Sequence, residues 1–97
     1  MKPYNKQESV VLSEILVHAD LSQERYGDFS STHEALGVAL EEWTELIGAV
    51  HANKLESVRD EAIDLAAVLV RLAIQCRESK SYFSCKLKPS RGNKSSK

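Results

Sequence analysis

The chain reads as all-α: an antiparallel helical bundle of about three helices per chain, completed by oligomerisation. Glycine and proline are scarce between positions 5 and 80. Apolar residues recur at three-and-four spacing rather than in alternation, which is the signature of helices. The helical segments also carry more apolar surface than one chain of 97 residues can cover. A domain of that size buries limited surface by itself, so self-association is expected.

The first helix is expected over about residues 5–24. Tyr26-Gly27-Asp28-Phe29-Ser30-Ser31 breaks it from the second, expected over 32–52. Ser31 followed three residues later by Glu34 fits a capping box and marks the start of that second helix. At about 100° per residue its side chains fall into two stripes. Leu36, Leu40, Trp43, Ile47 and Val50 form one; Ala35, Val38, Ala39, Leu46 and Ala49 form the other, with Glu42 inside it and Glu45 at its edge. Asn53 with Glu56 repeats the capping pattern more weakly and opens the third helix, expected over 54–80. There Leu65, Val68 and Leu72 share a face with Glu61, and Asp64 is flanked by Arg71 and Gln75. The helical pattern fades after Ser81. Residues 1–85 therefore form the helical domain, and residues 86–97, with five basic residues and no acid, read as a solvated tail.

Composition narrows the function. Thirteen basic and fourteen acidic residues leave the chain near neutrality, so no global field favours nucleic acid or an anionic membrane. The basic tail lacks interleaved aromatics and is weak evidence for a nucleic-acid surface. No apolar run approaches the roughly 20 residues of a membrane span, and MKPYNKQES lacks the apolar region of a signal peptide. Cys76 and Cys85 have neither metal-site spacing nor a disulfide framework. A reducing, cytoplasmic setting is expected.

The chemistry sits in two pairs of carboxylates, Glu42 with Glu45 and Glu61 with Asp64. Each pair is spaced i, i+3 and so shares nearly one helix face. Fifteen residues separate the pairs, enough to finish one helix, turn and start the next. An ionised carboxylate in an apolar stripe is costly unless something compensates it, and the sequence offers few fixed cations nearby: Lys54, Arg59 and Arg71. Oxygen-only ligands at this spacing suit a hard cation, Mg²⁺, with Mn²⁺ as the alternative. A di-iron bundle would need Glu-x-x-His, which neither pair supplies. A solvated acidic face remains the competing explanation.

Thr32-His33-Glu34-Ala35-Leu36, then Glu41-Glu42-Trp43-Thr44-Glu45-Leu46, then Asp60-Glu61-Ala62-Ile63-Asp64-Leu65 resemble the MazG-like all-α nucleoside triphosphate pyrophosphohydrolases, a superfamily that includes the dimeric dUTPases. The resemblance covers residues 24–76. It implies hydrolysis of a (d)NTP between its α and β phosphates, giving the monophosphate and pyrophosphate. It further implies that Glu42, Glu45, Glu61 and Asp64 bind Mg²⁺, that Glu41, Glu42 or Glu61 orients or deprotonates the attacking water, and that the protein is a dimer or tetramer. Many members carry a further helix after the second acidic motif. Here SYFSCKLKPSRGNKSSK follows without a helical stripe. A non-catalytic nucleotide- or metal-binding regulator is accordingly the alternative function.

Four further residues are candidates for substrate contact. Phe29, like Tyr26, lies in the loop before the metal helix and either anchors that loop or stacks on a base. His33 belongs to the lead-in on the family's substrate side, against a plain first-turn polar role. Lys54 reads first as a solvated turn lysine, and Arg71 either neutralises the acidic cluster as an ion pair or reaches a phosphate. His18 and Trp43 are expected to pack, His18 in a core or interface and Trp43 on the core stripe.

Overall fold

The computed structural model describes Pro3 and residues 5–79, which form three α-helices: α1 (Lys6–Tyr26), α2 (Thr32–His51) and α3 (Leu55–Glu78). The tail at 86–97 and Cys85 lie outside the described residues. No strand occurs among the described residues, and no helix there is long and apolar enough to cross a membrane.

Local hydrogen bonds set the helix ends. Asn5 and Glu8 form a reciprocal capping box, each side chain accepting the other's backbone N–H at 2.8 Å. Gly27 ends α1 at φ 75°, a left-handed conformation that favours glycine, and its N–H bonds the Gln23 carbonyl at 2.8 Å. Ser31 Oγ accepts the Glu34 N–H at 2.9 Å, as its spacing predicts. The return half of that box shifts by one residue, because the Glu34 carboxylate takes the Ser30 N–H at 2.6 Å and the Ser30 hydroxyl at 3.0 Å.

The expected box at Asn53 does not form. Asn53 has φ 59° and belongs to the end of α2, its N–H bonding the Val50 carbonyl at 3.0 Å. Lys54 is the N-cap of α3 and makes no side-chain cap bond. Asparagine tolerates the left-handed conformation better than most residues, and here that capacity outweighs its value as a cap.

α3 is the central element. It packs against both α1 and α2, which do not pack against each other. The core is Phe29, Ala35, Ala39 and Val68, with Val38, Leu65 and Leu72 against it. Of the two α2 stripes, the alanine-rich one faces α3, because small side chains let two helix backbones approach closely. The larger stripe is left outside: Leu36, Leu40, Trp43, Ile47 and Val50 are all exposed, Trp43 by 50%. Trp43 is thus not a core residue within one chain. α1 likewise buries Ala19 and exposes Val10, Val17 and Leu21. Exposed apolar area on this scale marks an interaction surface.

The loop before α2 is tied to the far part of α3. Phe29 N–H donates to Gln75 Oε1 at 2.9 Å, and Gln75 Nε2 donates back to the Phe29 carbonyl at 2.9 Å. Arg71 adds a bond from Nη2 to the Gly27 carbonyl at 2.9 Å. Hydrogen bonds of this kind contribute about 1 kcal/mol each, and together they fix the loop that closes one end of the site.

Candidate metal centre

The trough between α1 and α2, floored by α3, holds a cavity of about 660 Å³, within the range of small-molecule sites. Glu42 reaches it from the alanine-rich face of α2, and Asp64 from α3; Glu41 lies on the wall beside them. Oxygens of Glu42, Glu45 and Glu61 lie within 4.8 Å of one another. One helix supplies two of them through its i, i+3 spacing and α3 supplies the third.

Two of these oxygens are in an unusual state. Glu42 Oε1 and Glu61 Oε1 are sealed from solvent and have no hydrogen-bond partner, although each residue as a whole is only half-buried. A sealed carboxylate oxygen without a partner is costly. Burial pushes the Glu42 carboxyl up to about 7, reinforced by the charges of Glu45, Asp64 and Glu61. Glu61 is raised too, first by burial, then by its contact with Glu45 and the charges of Glu45, Asp64 and Asp60. Repulsion among the acids therefore asks for either protons or a cation.

No family model, curated protein or solved structure matches the chain. The assignment of the site consequently rests on its donors. Three converging carboxylates, two of them with an orphaned oxygen, fit a hard divalent cation, which binds oxygen ligands at about 2.1 Å for Mg²⁺ and up to about 2.6 Å for Ca²⁺. Ligands on opposite sides of such an ion lie about 4 to 5 Å apart, close to the spread of the three glutamates.

The fourth carboxylate is separate. Asp64 Oδ1 faces His18 Nδ1 of α1 at 3.3 Å, and Asp64 is not among the three converging side chains. It still lies near enough to Glu42 and Glu61 to raise both. His18 is exposed beside the cavity rather than packed in a core, because the α1 surface turned to α3 is narrow and buries only Ala19. Arg59 does not serve the cluster either; its Nη2 pairs with the adjacent Asp60 at 3.0 Å on the exposed side of α3.

Of the substrate candidates, Phe29 and Arg71 line the cavity and His33 and Lys54 do not. His33 is exposed in the first turn of α2 and Lys54 is exposed in the turn before α3. Phe29 is buried, with the Arg71 guanidinium 4.3 Å from its ring centroid. Arg71 makes no ion pair with a described carboxylate. Its long side chain turns instead toward the carbonyl of Gly27. Sequence reasoning missed Gln75 as the loop's anchor and His18 as the partner of Asp64. Both depend on how the helices rotate against one another, which the pattern along one helix does not contain.

Proposed function

We propose that the protein is a Mg²⁺-dependent nucleoside triphosphate pyrophosphohydrolase of the MazG-like type, cleaving a (d)NTP to the monophosphate and pyrophosphate. The observation that carries this is the convergence of Glu42, Glu45 and Glu61 within 4.8 Å, with two sealed, unpartnered oxygens, beside a cavity that Arg25 and Arg71 also line. Glu42, Glu45 and Glu61 would hold the cation, with Asp64 beside them on His18. Bound there, the cation supplies neutralisation of phosphate charge and acidification of water. Glu41, exposed on the cavity wall, accepts the proton of the attacking water. The water oxygen bonds to the α phosphorus, the bond from that phosphorus to the α–β bridging oxygen breaks, and pyrophosphate leaves. The active form is a homo-oligomer, in which antiparallel helices of a second chain cover the apolar stripe of α2.

A second reading, a regulator that binds nucleotide or metal without turnover, draws on one observation: Asp64 is engaged by His18 and stands apart from the three glutamates. Pyrophosphate release from a panel of NTPs and dNTPs with Mg²⁺ separates the two. Release by the wild type that disappears in Glu61→Gln is the expected result. No release from any nucleotide by the folded protein would leave only the binding function.

A further inference from the structure

Two arginines, Arg25 and Arg71, line the cavity among its acids. Arg71 is only 7% exposed. A guanidinium offers five N–H groups, and here two are bound, Nε to Gln23 Oε1 at 3.4 Å and Nη2 to the Gly27 carbonyl at 2.9 Å. Both acceptors are neutral. The Arg71 guanidinium carbon lies over the Phe29 ring, 4.3 Å from its centroid. No described carboxylate stands within ion-pair distance. Glu34, which accepts the N–H and hydroxyl of Ser30 on Oε1, feels the charge of Arg71 without pairing with it. A buried cation that has hydrogen bonds but no ion-pair partner is costly, and Arg71 lines the cavity.

Arg71 follows Asp64 by seven residues on α3, about 10 Å along the helix. Cation-binding acids and a buried cation therefore face one cavity. Arg25 of α1 lines the same space. A guanidinium, with its planar fork of donors, is suited to a two-point grip on phosphate oxygens.

We propose that Arg71 is the seat of a phosphate-type oxyanion, the end of a polyphosphate chain whose other end meets the glutamate-held cation. The seat itself follows from the buried guanidinium without an ion-pair partner. That its occupant belongs to a nucleotide rests on the function proposed above.

The test is calorimetric titration of the full chain in EDTA with inorganic tripolyphosphate and, separately, with inorganic phosphate, on the wild type, Arg71→Gln and Arg71→Lys. The expected result is binding that Arg71→Gln weakens by at least about tenfold, the loss of a charge-assisted bidentate contact, and that Arg71→Lys weakens less. Tighter binding of tripolyphosphate than of phosphate assigns the seat to a chain; equal binding assigns it to free phosphate. Unchanged affinity in Arg71→Gln would overturn the seat. Should Arg71→Gln fail to fold, the Arg71 Nε–H resonance of the wild type decides: it shifts on saturation with tripolyphosphate, and an unmoved resonance overturns the proposal. Arg71-dependent binding without pyrophosphate release from nucleotides would keep the seat and remove the enzyme. Release with Arg71-independent binding would do the reverse.

Discussion

Glu42 joins the fold to the chemistry. Its carboxyl is pushed from the ordinary value near 4.5 up to about 7, so folding favours the protonated form in the window between. The stability this lends is complete below about pH 4.5 and is lost as pH rises through about 7. Glu61 is displaced in the same direction. Cation binding needs the anions and therefore strengthens with rising pH over that window. In EDTA the melting temperature is expected to fall between pH 5 and 8. Added Mg²⁺ should restore it at pH 8 and do little at pH 5. Glu42→Gln should flatten the dependence in EDTA and diminish the response to Mg²⁺, with thermal melts across a pH series as the measurement. A melting temperature in EDTA that rises over this range would show that the carboxylates are neither crowded nor desolvated in solution.

The ends of α1 and α2 show what the sequence carries at the level of an element. Ser31 and Glu34 were legible because a side-chain cap is a local bond between residues three apart. Asn53 was not, since asparagine suits both an N-cap and a left-handed residue at a helix end, and the pattern along the chain does not rank those uses. Its conformation at φ 59° makes a clear prediction. Asn53→Ala should cost about 1 kcal/mol from the left-handed strain, whereas Asn53→Gly should lie within about 0.5 kcal/mol of the wild type, strain relief offsetting chain entropy. Chemical denaturation of the two variants measures both. The two stripes of α2 were legible as well, but not which of them would face α3. Hydrophobicity favours the Leu36–Val50 stripe for the core; close approach through Ala35, Ala39 and Ala49 favours the other. Within one chain, close approach prevailed.

For the whole molecule, that choice leaves a surface to be covered. Leu36, Leu40, Trp43, Ile47 and Val50 recur at spacings of four and three residues, the repeat of a helix seam that packs knobs into holes on another helix. Gly37 and Thr44 flank the seam without charge, and there is open space above Gly37 and Gly48, so nothing local opposes a second helix. The spacing of the acidic pairs placed the glutamates correctly as neighbours, yet the hold of His18 on Asp64 and the buried state of Arg71 came only from assembly of the three helices. A fourth element packing on the α2 seam belongs to the same level of organisation. If a second copy supplies it, burial of the seam stabilises the fold by mass action, and the melting temperature must rise with protein concentration. Trp43→Glu places an unpaired charge at the centre of the seam and should give a monomer by light scattering, with a lower and concentration-independent melting temperature. Wild-type protein that is already monomeric at high concentration, with Trp43→Glu melting at the same temperature, would mean that these five apolar residues face water in the functional protein and that the oligomer does not form through α2.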